Sequence, residues 1–245
     1  MTWVLDLDGV VWLGDQPIPG SAEAVARLRA NGTRVVLVTN NSALTTGEYL
    51  AKLDRLGVPT PADDLVTSAQ IAAGLLEPGS TALVCAGPGV TEALTERGVS
   101  AVRDGRADAV VVGWHRDFDY ERLTTAMRAV RAGARLIGTN DDATYPMPDG
   151  VLPGGGSILA AVSYASGVEP VVAGKPHEPA AAYVTARFGP VEVMVGDRPS
   201  TDGLMARRLN ARFALVLSGV TRPEDLPVDP APDVVAPDLA HLVDA

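Results

Sequence analysis

The sequence predicts an α/β fold built on a parallel sheet. Short apolar runs rich in Val, Ile and Leu alternate with helical patterns along the 245 residues. This alternation is typical of parallel strands joined by crossover helices. Polar clusters end several of the apolar runs, and they are Asp6-Leu7-Asp8-Gly9, Thr39-Asn40-Asn41, Gly174-Lys175-Pro176, and Gly196-Asp197-Arg198 with Asp202. Because ligands gather at the carboxyl ends of parallel strands, we expect one site to collect all four clusters.

The first segment predicts two strands and three helices before a break at Glu77-Pro78-Gly79-Ser80. The predicted elements are strands at 3–7 and 34–38, and helices at 21–30, from 45 to a stop at 57, and at 68–76. Asn31-Gly32 ends the first helix, since glycine accepts the left-handed conformation found at many helix ends. Thr45-x-x-Glu48 is a capping box that starts the second helix.

A second α/β series follows the break. It predicts strands at 82–85, 109–112 and 135–137, and helices at 90–97, 120–132 and 157–165. Gly98 and Gly133 close the first two of these helices. Residues 138–156 are rich in turn-forming residues and are predicted as a long turn region.

The last segment predicts a strand at 171–173 leading into Lys175, and a strand at 191–195 leading into Asp197. Helices are predicted at 179–188 and up to about residue 209, and the last clear strand at 213–217. The Pro- and Asp-rich tail is weakly patterned and is predicted to wrap the surface.

The chemical clusters lie near both ends of the chain and are absent from its middle. This distribution predicts a catalytic core formed by residues 1–78 and 173–245, with a second domain inserted at 79–172. Glu77-Pro78-Gly79 and Val168-Glu169-Pro170 are the predicted connections.

Composition and charge exclude several classes of partner. The net charge of −10 disfavours nucleic acid and acidic membrane surfaces. No apolar stretch approaches the roughly 18 residues of a membrane span. The N-terminal residues show no signal-peptide pattern, and a single cysteine, Cys85, fits a reducing cytoplasm. We therefore expect a cytoplasmic protein without nucleic-acid or membrane partners.

Asp6 and Asp8 are the candidate catalytic carboxylates. Two neighbouring carboxylates can take different roles when their environments separate their pKa values. Asp6 would attack phosphorus, while Asp8 would protonate the leaving oxygen and then deprotonate water. A solvated Asp-x-Asp-Gly turn is the alternative for this motif alone.

The other clusters supply groups that bind a phosphate and a metal ion. Thr39, Asn40 and Asn41 offer a hydroxyl, amides and backbone N–H groups for phosphate oxygens, although turn-forming residues in a loop are the alternative. Lys175 would neutralise charge on the phosphoryl oxygens and on the nucleophile. Asp197 and Asp202 would complete an oxygen site for Mg²⁺.

The four motifs together resemble those of the haloacid dehalogenase superfamily of phosphatases. The order and spacing of Asp6-x-Asp8-Gly9, Thr39-Asn40, Lys175 and Gly196-Asp197-x-x-x-x-Asp202 match that family. The insert resembles its C2-type α/β cap, and further motifs resemble the 4-nitrophenylphosphatase, phosphoglycolate and pyridoxal-phosphate phosphatase group. The resemblance implies a Rossmann-like core and Mg²⁺ held by Asp6, the backbone of Asp8, and Asp197, with Asp202 nearby.

The resemblance also assigns roles in the cap. Trp114 and Tyr145 match residues that line the substrate pocket in relatives, with core packing as the alternative for each. His115 stands where relatives often carry an aspartate, and Pro199-Ser200 replaces the usual pair in the last motif. Relatives often dimerise through the cap, so the resemblance leaves a homodimer through the cap open without fixing the oligomeric state.

The sequence therefore predicts an Mg²⁺-dependent phosphatase that hydrolyses a small phosphorylated metabolite through an aspartyl-phosphate on Asp6. Two alternatives stay open. One is a phosphotransferase or mutase of the same superfamily, and the other is a non-catalytic sugar-phosphate-binding protein.

Overall fold

The computed structural model describes residues 1–147 and 150–244, in which two parallel sheets are flanked by helices. The strands are β1 Thr2–Leu5, β2 Trp12–Leu13, β3 Gln16–Pro17, β4 Arg34–Thr39, β5 Leu65–Thr67, β6 Thr81–Cys85, β7 Ser100–Val102, β8 Ala109–Val112, β9 Arg135–Gly138, β10 Thr144–Met147, β11 Gly150–Pro153, β12 Val171–Val172, β13 Val193–Gly196, β14 Arg212–Val216 and β15 Val234–Ala236. The helices are α1 Ser21–Ala30, α2 Thr46–Arg55, α3 Ser68–Gly74, α4 Pro88–Glu96, α5 Tyr120–Arg131, α6 Gly155–Ser166, α7 Glu178–Phe188, α8 Leu204–Leu209 and α9 Leu239–Asp244. Pro199–Gly203 forms a π-helical turn before α8.

Six parallel strands form the first sheet, which we call the core sheet. Their order is β15-β14-β13-β1-β4-β5. The N-terminal strand β1 is central because it pairs with β13 on one side and β4 on the other. The two ends of the chain therefore build one sheet, and the predicted α/β class is confirmed.

Five parallel strands form the second sheet, which we call the cap sheet, and its surrounding unit the cap. Their order is β12-β9-β8-β6-β7. The edge strand β12 pairs with β9, so the chain leaves the cap sheet only after Val172. The limits of the two predicted domains, at 78/79 and 172/173, stay a prediction.

Apolar side chains fill three layers around the two sheets. One buried cluster lies on the outer face of the core sheet and another on the outer face of the cap sheet. The third runs without interruption from the core sheet, through α3 and α4, to the cap sheet. The cap is therefore packed against the core through apolar contact as well as joined to it by two chain segments. Within residues 1–147 and 150–244, no helix is long and apolar enough to cross a membrane.

Two predicted regions differ in the structure. The predicted turn region 138–156 contains an antiparallel hairpin of β10 and β11, whose residues Pro148 and Asp149 lie outside the described part. Proline in both strands and glycine in β11 hide the alternating pattern that normally indicates a strand. The tail contributes β15, the edge strand of the core sheet, and α9, which packs against α1. A three-residue strand is too short to show a period, which is why the weakly patterned tail gave no strand prediction.

Gly89, the second residue of α4, sits directly against the core loop that follows β4. Its amide donates to the carbonyl of Ala43 at 3.1 Å. A Cβ at Gly89 would lie 2.1 Å from the carbonyl oxygen of Leu44. The absence of a side chain is therefore what lets α4 approach the core this closely.

We predict that Gly89→Ala lowers the free energy of unfolding by about 1–3 kcal/mol, because the methyl group forces α4 away from the loop. Gly47 is the matched control, since it is the second residue of α2 and has open space around its Cβ position. Gly47→Ala should leave stability unchanged or raise it by up to about 1 kcal/mol. Urea unfolding of both variants makes the measurement, and equal stabilities would contradict the tight contact.

Candidate active site

The predicted residues meet at the carboxyl edge of the core sheet. Asp6 and Asp8 follow β1, Thr39 ends β4, and Asp197 follows β13. These side chains line one cavity of about 60 Å³ together with Lys175. The prediction that distant segments form one site is therefore supported by their geometry.

Lys175 is the electrostatic centre of this cavity. Its Nζ lies 2.8 Å from Oδ1 of Asp6 and 2.8 Å from Oδ1 of Asp202. The lysine is 1% exposed. Burial by itself lowers the pKa of the ammonium, but the carboxylates of Asp202 and Asp6 outweigh it and raise that pKa. The lysine is therefore held in its charged form.

Lys175 reaches the cavity by a different route from the other clusters. The strand before it, β12, belongs to the cap sheet, whereas β1, β4 and β13 belong to the core sheet. Asn40 fixes the lysine instead. Its Oδ1 accepts the amide of Lys175 at 2.7 Å and its Nδ2 donates to the carbonyl of Lys175 at 2.9 Å. Gly174 allows this approach, since a Cβ there would lie 2.5 Å from Oδ1 of Asn40.

Three carboxylates are placed to hold a metal ion. Asp6, Asp197 and Asp202 each offer an oxygen atom, and these atoms lie within 4.8 Å of one another. Burial raises the pKa of Asp6 well above its usual value even though Lys175 lowers it. Burial and the neighbouring Asp202 raise the pKa of Asp197 to about 7. So much buried negative charge against one ammonium fits a hard divalent cation with oxygen ligands.

The loop after β14 holds Asp197 in place. The amide of Val220 donates to Oδ2 of Asp197 at 2.6 Å. A Cβ at Gly219 would lie 1.9 Å from the same oxygen, and one at Gly9 would lie 2.3 Å from it. The hydroxyl of Ser218 donates to the carbonyl of Gly9 and so joins the two loops. The sequence analysis missed this loop, although Ser218-Gly219 directly follows the end of an apolar strand.

Asp8 faces a different part of the cavity. Its Oδ1 accepts from Nε1 of Trp12 at 3.0 Å and from the hydroxyl of Tyr145 at 3.4 Å. Burial raises the pKa of Asp8, and the bond from Trp12 partly offsets that rise. Its carboxylate is not among the three that could hold a metal ion within the described residues, which leaves its backbone for that role.

Thr39, Asn40 and Asn41, at the end of β4, each have different hydrogen-bond partners. Thr39 is buried, and its hydroxyl accepts the amide of Asn41 at 3.1 Å. The Oδ1 of Asn41 accepts the amide of Ala43 at 3.0 Å. All three predicted residues line the cavity, but the side chain of Asn40 is already engaged with Lys175. The side chain of Asn40 therefore positions the backbone of Lys175.

The cap contributes two aromatic side chains to the cavity. The rings of Trp114 and Tyr145 lie 5.2 Å apart at an angle of 33°. The Nε1 of Trp114 donates to the carbonyl of Pro153 at 3.0 Å, which links the ring to the hairpin. Both residues line the cavity, and neither is buried in an apolar core.

Asp142 and Asn140 also line the cavity, although the sequence did not predict them as site residues. Asp142 accepts from Nδ2 of Asn40 at 3.0 Å and lies 3.6 Å from Arg198. Asn140 donates to the carbonyl of Asn40 at 2.7 Å. The available signal was Thr139-Asn140, which follows β9 in the same way that Thr39-Asn40 follows β4.

Known protein families match this chain over the segments that contain the four motifs. A family model described as haloacid dehalogenase-like hydrolase matches residues 3–100, and one described as HAD-hydrolase-like matches residues 172–242. An acid sugar phosphatase from Staphylococcus saprophyticus is 36% identical over 231 residues, which are 91% of this chain and 89% of that protein. The chain belongs to the haloacid dehalogenase-like hydrolase family.

Solved structures of family members share the whole architecture. A 4-nitrophenylphosphatase from Thermotoga maritima superposes with a TM-score of 0.91 at 33% identity, covering 100% of this chain and 96% of that one. A glycerol phosphate phosphatase from Mycobacterium tuberculosis in complex with magnesium superposes with a TM-score of 0.90 at 35% identity, covering 98% and 75%. The resemblance to the C2-capped phosphatases of the superfamily is thereby confirmed.

Two positions of this chain, Pro199-Ser200 and His115, depart from the usual pattern of the haloacid dehalogenase-like family. Pro199-Ser200 opens the π-helical turn that carries Asp202, and Asp202 still bonds Lys175. His115 lies outside the active-site cavity and is buried in the cap. His177, two residues after Lys175, forms a 2.8 Å contact with Asp141 of the cap.

We predict that Gly219→Ala weakens metal binding in this family member by about 10–100-fold, because its methyl group displaces the carboxylate of Asp197. Isothermal titration with MgCl₂ measures the affinity. Gly74→Ala is the control, since a Cβ there makes only ordinary contact at 3.8 Å. Equal affinities in the two variants would show that Gly219 does not support the metal site.

Proposed function

We propose that the protein is an Mg²⁺-dependent phosphatase that hydrolyses a small sugar or polyol phosphate through an aspartyl-phosphate on Asp6. One observation carries this proposal. The carboxylate of Asp6 is held 2.8 Å from the buried ammonium of Lys175, with Asp8 and Asp197 in the same cavity. A nucleophile, a proton donor and a charge-neutralising group are thus present together.

The relatives support this choice of substrate class. The names of similar proteins include acid sugar phosphatase, glycerol phosphate phosphatase and 4-nitrophenylphosphatase. The small cavity, of about 60 Å³, also favours a small phosphate ester, with Trp114 and Tyr145 beside its organic part. Aromatic rings pack well against the C–H faces of sugars and polyols.

In the first step, a carboxylate oxygen of Asp6 attacks phosphorus and the bond from phosphorus to the ester oxygen breaks. Asp8 transfers its proton to that leaving oxygen. Burial favours this role because it raises the pKa of Asp8. Since Trp12 and Tyr145 both donate to Oδ1 of Asp8, the proton is expected on Oδ2, the other carboxylate oxygen.

In the second step, Asp8 takes a proton from water, and the water oxygen attacks the phosphorus of the aspartyl-phosphate. The bond between phosphorus and Asp6 breaks, and inorganic phosphate leaves. Lys175 stays charged through both steps and offsets the negative charge of the phosphoryl oxygens.

Asp6 and Asp197 would hold Mg²⁺ together with the backbone carbonyl of Asp8, and Asp202 lies close to them. The ion, when bound, neutralises charge on the transferring phosphoryl group. The glycerol phosphate phosphatase structure in complex with magnesium supports the choice of metal. The homodimer through the cap, the cytoplasmic location and the absence of nucleic-acid and membrane partners stay predictions.

We predict that Asp8→Asn traps the phosphorylated enzyme when 4-nitrophenyl phosphate is the substrate. This leaving group needs no protonation, so Asp6 can still attack, but the second step loses its general base. A stopped-flow trace should show about one 4-nitrophenolate per active site, then turnover slowed by about 10²–10⁴-fold.

Asp6→Asn is the matched control because it removes the nucleophile and should give neither burst nor turnover. Normal turnover by Asp6→Asn with saturating Mg²⁺ would contradict the proposal. Phosphate release that falls below 4-nitrophenolate release when glycerol is added would instead identify a phosphotransferase.

A further inference from the structure

Trp12, a buried residue of the core, holds the side chain of Asp8. Its Nε1 donates to Oδ1 of Asp8 at 3.0 Å, and the residue is 1% exposed. The turn between the two residues is also fixed, because the amide of Gly9 donates to the carbonyl of Trp12 at 2.7 Å. Trp12 is not among the described residues that line the active-site cavity. Any effect of Trp12 on a bound ligand is therefore expected to pass through Asp8.

The ammonium of Lys52 lies over the ring of Trp12. Lys52 belongs to α2 and is one of only two lysines in the chain. Its Nζ is 4.2 Å from the ring centroid and donates to the carbonyl of Gly14 at 2.6 Å. Gly14 belongs to the turn of the β2–β3 hairpin, which begins at Trp12. The lysine thus connects α2 to the hairpin that carries the indole.

The ion pair of Lys52 does not account for the placement of its ammonium. The side chain of Lys52 is 12% exposed, whereas that of Asp15, at 3.4 Å, is 96% exposed. Such a pair contributes little, because water screens it. The carbonyl of Gly14 and the face of the indole are the other partners, and a shielded cation is attracted to the negative face of the ring. The cation also draws electron density from the indole, which strengthens its N–H as a donor to Asp8.

We propose that Lys52 is a positioning residue that acts through Trp12 to fix the carboxylate of Asp8 for proton transfer. Trp12 occupies Oδ1, which leaves Oδ2 for the ester oxygen of a bound substrate. The hydroxyl of Tyr145 reaches the same Oδ1 at 3.4 Å, but it comes from the cap. Trp12 is therefore the partner that the core supplies. This inference rests on the proposed function, which assigns the proton transfer to Asp8.

Phenyl phosphate and 4-nitrophenyl phosphate test the proposal, because they differ only in the nitro group. Phenolate is a much more basic leaving group than 4-nitrophenolate and depends far more on a proton from Asp8. Lys52→Met keeps an apolar side chain over the ring and removes the ammonium. With saturating Mg²⁺, it should lower kcat/KM for phenyl phosphate by about 5–10-fold or more, and that for 4-nitrophenyl phosphate by less than about 2-fold.

Three further variants separate positioning from packing. Trp12→Phe keeps a ring in the core but removes the N–H donor, so it should show the same dependence on the leaving group. Lys52→Arg restores a cation and should return kcat/KM for phenyl phosphate to within about 3-fold of the unmodified protein. Arg55→Met is the matched control, since Arg55 is an exposed cation on the same helix, and it should change neither value. Equal losses on both esters in Lys52→Met, or no loss on either, would overturn the proposal.

Hydrogen exchange at the indole N–H of Trp12 tests the contact without turnover. The chain has three tryptophans, and the signal lost in Trp12→Phe identifies this one in ¹H–¹⁵N spectra. Lys52→Met should accelerate its exchange with D₂O by about 10-fold or more, and Arg55→Met should leave it unchanged. Gly89→Ala controls for global unfolding, because it is expected to destabilise the fold away from Trp12.

The outcomes of the two measurements are distinguishable. An exchange rate that Lys52→Met does not change, or changes only as much as Gly89→Ala does, would overturn the role of Lys52 in holding Trp12 against Asp8. Failure of the unmodified protein to hydrolyse either ester would instead refute the proposed function, and with it the catalytic consequence of this contact. The exchange result would still decide whether Lys52 holds the indole.

Discussion

The buried ammonium of Lys175 is the interaction on which the site depends. An isolated ammonium in this position would be strongly destabilised, and so would the two carboxylates that contact it. Asp6 comes from the end of the first strand, and Asp202 from the turn after β13. Each charge therefore needs the others, and satisfying them requires three distant parts of the chain to meet. The catalytic arrangement is thus also a constraint on the fold.

Asn40 connects this charge cluster to the cap. Its amide holds the backbone of Lys175 on one side and donates to Asp142 of the cap on the other. Its carbonyl accepts from Asn140, also of the cap. Movement of the cap away from the core would break the last two contacts, while those with Lys175 could persist. Asn40 therefore couples the placement of Lys175 to the position of the cap.

Local sequence patterns predicted the helices and strands that are determined by short-range signals, such as a helix cap or an apolar run. The capping box of Thr45 and Glu48 forms as expected, and strand β8 has the predicted limits. The pairing partner of β12 could not be predicted, because Val171-Val172 is apolar in either sheet. The hairpin of β10 and β11 was missed because proline in both strands hides the alternating pattern, and its hydrogen bond from Trp114 is not visible in local sequence.

The same distinction holds for the site. Asp6, Lys175 and the other acidic residues of the cavity could be predicted as site candidates because their chemistry is visible as residue type after a strand. Gly219 was not, because its role is only to let the loop approach Asp197, and a glycine after a strand is equally typical of any turn. Asp142 and Arg198 offset each other at 3.6 Å, and pairing of this kind depends on the docked cap.

The charges around the cavity explain why a metal ion and a protonated Asp8 are both needed there. Around the cavity, the described carboxylates are those of Asp6, Asp8, Asp142, Asp197 and Asp202, and the cations are Lys175 and Arg198. A phosphate ester adds further negative charge to a space that the cap shields from water, where repulsion is strong. Binding of a phosphate ester in this cavity is therefore favourable only when the excess negative charge of the carboxylates is neutralised. A divalent cation at the three clustered carboxylates, and a proton on Asp8, supply that neutralisation with the groups this chain places there.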